Sequence, residues 1–393
     1  MSQDSIVIVS AARTPMGGMM GSLSDVRAPD LCAAAIKAAV ERAGIQGSDV
    51  DEVVMGCVLP AGLGQAPARQ ASRGAGIPDA AGATTINKMC GSGMKAVMLA
   101  HDQIAAGQLD IMVAGGMENM SQAPYLLPKA RAGMRMGHQQ AIDHMFFDGL
   151  EDAYEGGLMG TFAQKSADDY NITREAMDDF AIGSLEKALK AIETGAFKDE
   201  ITPVTIQSRR GETVVDTDEQ PGNARIDKIR QLKPAFKKDG SVTAANSSSI
   251  SDGGSALVLM KESEAQKRGL APLARIAAHS THAQLPAEFT IAPIGAIDKV
   301  LDRAGWSKED VDLFEINEAF AVVSLLAINE MGLDADKVNV NGGACALGHP
   351  IGSSGSRILV TLLYALKNQG KSKGVASLCI GGGEATAVAV EML

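Results

Sequence analysis

The first patterned stretch of the chain is SIVIVS at residues 5–10, a β-branched run that predicts a strand. From 28 to 43 the period changes. Leu31, Ala35, Ile36 and Val40 fall on one side of a helix that closes at Gly44. VDEVVMGCV at 50–58 reads as the next strand. Strand, helix, strand is the crossover unit of a parallel or mixed sheet. The same text then returns at a constant offset. Ala35-Ile36, Arg42-Ala43-Gly44 and Asp49-Val50-Asp51 recur as Ala296-Ile297, Arg303-Ala304-Gly305 and Asp310-Val311-Asp312. A looser parallel follows: a helix at 94–106 leads into DIMVAGGME (110–118), and a helix at 356–366 leads into VASLCIGGGE (375–384). Both are strands running into glycines. Ordered recurrence argues for two homologous α/β halves.

Between the halves the texture differs. Residues 125–160 are rich in Met, Gly and His and poorly periodic, 173–195 predict a helix pair, and Arg209-Arg210-Gly211 marks a turn between polar strands. This segment is too long for an idle loop. The expected organisation is an N-terminal half at 1–120 completed by about 240–270, an inserted lid at 121–239, and a C-terminal half at 271–393. Two stacked sheets would make an α/β body of five layers, helix-sheet-helix-sheet-helix.

Charge narrows the partners. The 36 basic and 47 acidic residues give a net charge of −11, which opposes nonspecific binding to nucleic acid or anionic membrane. No run reaches the roughly 18 apolar residues of a membrane span. The opening, MSQDSIVIVSAARTP, does not read as a secretory leader. The five cysteines, Cys32, Cys57, Cys90, Cys345 and Cys379, are widely spaced without a CxxC pair. Neither a zinc site nor a disulfide framework is suggested, and reduced thiols in a cytoplasm fit best.

Three of those cysteines lie beside glycines. Cys90, in NKMCGSGM, precedes a helix whose exposed amides favour a thiolate. A small residue chosen for close packing beside Gly91 fits the local string equally well. His349 sits between Gly348 and Pro350 in NGGACALGHPIGSSG, well placed as a base near neutral pH. No GxxxxGK string occurs, so this is not a nucleotide P-loop. Cys379 ends a strand in SLCIGGGE, and Asn317-Glu318 follows the strand at 312–316. Such strand ends are where chemistry collects in open α/β sheets, although Asn317 also reads as a helix cap and Glu318 as a helix-end charge. Two thiols and an imidazole suggest covalent catalysis with proton transfer at carbon. A Cys-His-Asn hydrolase is the competing reading, and it leaves Cys379 idle.

NKMCGSGMK (87–95), GGMENMS (115–121), NEAFA (317–321), NVNGGACALGHPIGSSG (339–355) and CIGGG (379–383) resemble the thiolase family, more closely its degradative and acetoacetyl-CoA branch. The resemblance runs from Ala11 to Gly383. It implies Cys90 as the nucleophile that takes an acyl group from a CoA thioester and His349 as its base. It also implies Cys379 as the acid/base at the methyl carbon of the second acetyl-CoA. Asn317 would hold a water that stabilises the enolate oxygen, and the amides of Cys90 and Gly381 a second oxyanion site. By the same resemblance Ser248 meets the pantetheine arm, and Met159 lines the thioester pocket with Leu158, where many members carry an aromatic or histidine. Arg225 serves the adenine end from a shifted position, or that contact is weaker. Phe289 shortens the acyl pocket. The implied reaction is reversible condensation of two acetyl-CoA to acetoacetyl-CoA plus CoA, with no prosthetic group and no metal, in a cytoplasmic homotetramer or dimer. A broader-range 3-ketoacyl-CoA thiolase of fatty-acid β-oxidation is the alternative.

Overall fold

Every residue of β1 (Ile6–Arg13) is buried, because this strand lies in a sheet covered on both faces. Ile6 and Ile8 enter one core, Val7 and Val9 another. In the computed structural model, which describes residues 4–209 and 211–393, the main sheet continues with β2 (Glu52–Gly56), β3 (Gly82–Ile86), β4 (Ile111–Asn119), β5 (Ser251–Lys261), β6 (Ala274–Ala283), β7 (Leu313–Ile316), β8 (Lys373–Ile380) and β9 (Glu384–Met392). Residues 1–3 of the opening segment and Arg210 of the expected polar turn lie outside the described residues.

The strand order is β7-β8-β9-β6-β1-β5-β4-β2-β3. β2 runs parallel to β3 and β4, and β7 parallel to β8. The other pairings are antiparallel. Read outward from the centre, β1-β5-β4-β2 and β6-β9-β8-β7 match in order and direction. β1 and β6 each carry a bulge, after Ile8 and after Ile276. Even β3 has a trace in the second half, a parallel bridge between Phe314 and Val338. The halves meet edge to edge where Val7 pairs with Arg275 and Ile8 with Ala274.

Among the described residues the α-helices of eight residues or more are α1 (Ala28–Ala43), α2 (Pro67–Gly74), α3 (Ser92–Ala105), α4 (Met159–Asp169), α5 (Arg174–Thr194), α6 (Ala292–Ala304), α7 (Ala321–Met331) and α8 (Ser354–Gln369). α3 and α8 pack on each other and on strands of both halves, while α1 and α6 cover the outer faces. The result is the expected five layers. α8 is buried continuously from Ser354 to Leu366, as a central helix must be. The repeat is physical as well as textual. Gly44 and Gly305 end α1 and α6 at φ of 70° and 69°. Asp51 then accepts from the amides of Asp110 and Ile111 at 2.8 and 2.9 Å, and Asp312 from Ser372 and Lys373 at 3.0 and 2.9 Å. Each aspartate pins the start of the neighbouring parallel strand.

Two features differ from the pattern-based expectation. Residues 173–195 form one helix, α5, capped by Thr173, whose Oγ1 accepts from the Ala176 amide at 3.1 Å, and closed by Gly195. The stripe Met177, Ala181, Leu185, Ala188, Ala191 runs unbroken past Gly183, so nothing divides it. The pattern also predicts no strands at β5, β6 or β9. These are rich in Ala and Gly, poor strand formers alone, and hold their form by pairing on both sides inside the sheet. Residues 200 and 218 are fixed to the end of β1 by a buried ion cluster: Arg13 meets Glu200 at 2.5 Å and Asp218 at 2.7 Å, all with no exposed side-chain surface.

Candidate active site

The two central helices begin at the same place. α3 starts two residues after Cys90 and α8 five residues after His349. Met89 adopts a left-handed φ of 47°, a strained turn that aims the next residue out of the chain path. Gly91 leaves room for the opposing loop, since a Cβ there would lie 2.3 Å from Ile380 Cδ1. Gly348 has φ of 107°, and a Cβ would strike Ser251 Oγ at 2.3 Å. An ion pair between Lys88 and Glu384 ties the Cys90 loop to the start of β9.

Cys90, His349, Cys379 and Gly381 line one cleft of about 260 Å³. Ser248, Met159, Leu158 and Phe289 line it too, so eight of the ten residues singled out in the sequence converge there. Asn317 sits behind the wall, buried, with its Nδ2 unpartnered and its Oδ1 3.4 Å from Arg357 Nη2. Arg225 stands apart, with a side chain 72% exposed and 3.5 Å from Asp227.

The electrostatics revise one expectation. Burial pushes the Cys90 thiol up to about 11, although the amides of Gly381 and Cys90 itself pull the other way. Desolvation therefore outweighs the helix-end effect, and the resting group is a thiol. Cys379 is pushed well above the ordinary thiol range by burial and then by the charge of Cys90. His349 is driven down to about 3 by burial and then by the charge of Arg357, which keeps it neutral.

The proton on His349 is placed by its neighbour. Ser354 Oγ lies within hydrogen-bond reach of both the Pro350 carbonyl, at 2.9 Å, and His349 Nδ1; when the hydroxyl donates to the carbonyl, its lone pair faces Nδ1. The ring then carries its hydrogen on Nδ1, and Nε2, buried without a partner, is a free base at the cleft. Removing the hydroxyl in Ser354→Ala releases the tautomer. kcat is expected to fall about 10–100-fold, part of the ~10²–10⁴ that a positioned base contributes, with KM and the thermal midpoint little changed. Steady-state kinetics and a melting curve check this.

Several contributors were not read from the sequence. Ser354 lies inside the glycine-rich run at 341–355, where nothing in the sequence marks its role. Glu118 accepts from the amides of Val58, Leu59 and Gly352 at 2.9, 3.1 and 2.9 Å, and burial raises its carboxyl to about 7. It holds two cleft loops together. Arg357 is buried with Nε and Nη1 unpartnered, and burial raises its counter-charge Glu315 to about 8. Glu318 and Asn317 do not cap α7, which begins at Ala321. The Glu318 carboxylate instead accepts from Ser184 Oγ, Asn339 Nδ2 and the Cys345 amide at 2.7, 2.8 and 3.0 Å. Cys345 packs beside it, outside the cleft.

Residues 6–263 match the thiolase N-terminal domain and residues 270–392 the thiolase C-terminal domain. The chain is 51% identical over 385 residues to an acetyl-CoA acetyltransferase of Pseudomonas aeruginosa, covering 98% of each. It is 52% identical over 388 residues to one of Cupriavidus necator, covering 98% of this chain and 99% of that one. The crystal structure of the Bacillus anthracis acetyl-CoA acetyltransferase superposes with a TM-score of 0.97 at 44% identity, covering 100% of this chain and 99% of the other.

Proposed function

Because this chain belongs to the thiolase family, we propose that it is an acetyl-CoA C-acetyltransferase, joining two acetyl-CoA into acetoacetyl-CoA plus CoA and cleaving the product in reverse. The observation that carries this reading is the meeting of Cys90, His349 and Cys379 in one cleft. The thiol lies high and the imidazole low, so transfer of the Cys90 proton to His349 Nε2 accompanies attack on the thioester rather than preceding it. The C–S bond to CoA breaks, Cys379 protonates the departing CoA sulfur, and an acetyl group remains on Cys90. Cys379 is then a thiolate and His349 an imidazolium. The thiolate takes a methyl proton from the second acetyl-CoA. The enolate oxygen is met by His349 Nε2–H and by a water on Asn317 Nδ2, whose lack of a protein partner supports that role. The new C–C bond forms at the acetyl carbonyl. Its oxyanion is held by the amides of Cys90 and Gly381, donors of a kind worth about 3 kcal/mol each. Cys90 leaves as thiolate and recovers its proton from His349, while Cys379 keeps the methyl proton, so every group returns to its starting state.

Leu158, Met159 and Ser248 guide the pantetheine arm; Ser248 Oγ donates to the Ala319 carbonyl at 3.0 Å, which fixes its orientation. The inserted lid at 121–239 holds CoA against the N-terminal half (1–120 with about 240–270) and the C-terminal half (271–393), with Arg225 reaching the phosphates from its exposed position. The chain assembles as a homotetramer, or as a dimer. Tyr125, Leu127 and Met136, exposed at 68, 52 and 87%, give the lid the apolar surface for that. The location is the cytoplasm, in keeping with five cysteines free of disulfides; among the described residues no helix is long and apolar enough to cross a membrane.

Phe289 is 2% exposed, faces the cleft and packs edge-on to Phe320 with ring centroids 6.4 Å apart. Thiolysis of acetoacetyl-CoA should therefore exceed that of a ten-carbon 3-ketoacyl-CoA by about 5- to 150-fold, since forcing extra methylenes against a packed ring costs about 1–3 kcal/mol. Phe289→Ala should narrow the gap. Comparable kcat/KM values for the two substrates in the unmodified enzyme would favour a broad-range 3-ketoacyl-CoA thiolase instead.

A further inference from the structure

Away from the cleft, the second half of α3 meets β6 of the other half at three side chains. His101 and Asp102 project from α3 and His279 from β6. His279 Nε2 lies 2.8 Å from Asp102 Oδ1 and 3.2 Å from His101 Nδ1, and His101 Nδ1 lies 3.0 Å from the same oxygen. The three atoms form a nearly equilateral triangle. Hydrogen bonding alone fills it poorly. Two N–H donors would have to reach one oxygen at an acute angle, and a proton aimed from one nitrogen to the other would leave a donor or an acceptor off line. A cation fits it well. A point about 1 Å out of the plane lies about 2.0–2.1 Å from all three atoms, the usual distance of zinc to imidazole nitrogen and carboxylate oxygen. The rings stand at 82° with centroids 4.8 Å apart, so neither blocks the approach of the other.

We propose that His101, Asp102 and His279 form a binding site for a divalent transition-metal cation of the zinc or cobalt kind. It clips α3 of the first half to β6 of the second. Two imidazoles and one carboxylate suit borderline cations and disfavour magnesium and calcium, which take oxygen ligands. The His279 side chain is 15% exposed and that of His101 22%, against 53% for Asp102. Water therefore completes the shell on the Asp102 side. Lys95, earlier on α3, places positive charge near His279 and moderates the affinity. The site uses no thiol, and so escapes the cysteine spacing that argued against a metal in the sequence. At 1.5 Å per helical residue it lies roughly 16 Å from Cys90, so the ion takes no part in acyl transfer. Its effect is on stability, because a ligand held only by the folded chain raises the unfolding free energy.

The test is equilibrium dialysis of the full chain against Co²⁺ at micromolar free metal, read with the visible spectrum. One ion per chain is expected, with ligand-field bands and no sulfur-to-cobalt charge transfer. Binding should persist in Cys90→Ser and vanish in His279→Gln. Asp102→Asn, at the surface, guards against a folding defect: it should lose the ion and the Co²⁺-induced rise in thermal midpoint while keeping full acetoacetyl-CoA thiolysis. Absence of bound cobalt, binding that survives Asp102→Asn, or a charge-transfer band that disappears in Cys90→Ser would each overturn the proposal.

Discussion

Cys90→Ser should carry no acetyl group after incubation with acetyl-CoA, while the unmodified chain gains one acetyl on the peptide containing Cys90. Turnover in both directions should fall by at least about 10⁴-fold, since the covalent route is lost. The reason is chemical rather than steric. Serine fills the same small space beside Gly91, but its hydroxyl is far less acidic and its ester a poorer exchange partner for a thioester. Mass measurement of the peptide decides it: an adduct on another residue, or full activity with none, would remove Cys90 from the mechanism. Because burial holds the thiol up at about 11, alkylation of Cys90 by iodoacetamide in the free enzyme should keep accelerating as pH rises from 7 to 10. A plateau near neutrality would mean a resting thiolate.

Cys379→Ser should separate the two half-reactions. Acetylation of Cys90 should survive at a reduced rate, because a CoA thiolate can leave without being handed a proton. Condensation and thiolysis should collapse by about 10³-fold or more, since abstracting a proton from carbon needs a base that a buried serine cannot supply. The pair of measurements is adduct formation by mass and acetoacetyl-CoA formation by absorbance. Loss of both together would give Cys379 some other role, such as holding the shape of the Cys90 loop. The sulfurs share one cleft and Cys90 raises the Cys379 thiol, so the prediction rests on their proximity as well as on chemistry.

Much of the fold was legible in sequence because local signals were strong. Helix 28–43 with its Gly44 stop, the repeat of Arg-Ala-Gly and Asp-Val-Asp, and the strands that carry Gly115-Gly116 or lead into Gly381 all correspond to elements fixed by a few neighbouring residues. The strands β5, β6 and β9 were not legible, since their form comes from partners on either side rather than from alternation. Likewise Cys90, His349, Cys379 and Asn317 stood out by residue type and glycine context. Ser354 and Arg357 did not, because a serine and an arginine in a helix carry no mark of what they face.

By itself the sequence determined which groups were available for chemistry and that two similar halves would present them, since backbone propensity and residue type are local properties. Only the tertiary structure decided their protonation. Enclosure strips water from Cys90, Cys379 and His349, and desolvation depends on what packs around a group from distant parts of the chain. The same holds for the imidazole ring, whose Nδ1 meets a hydroxyl five residues away across a turn, and for the triangle of His101, Asp102 and His279, whose members belong to different halves.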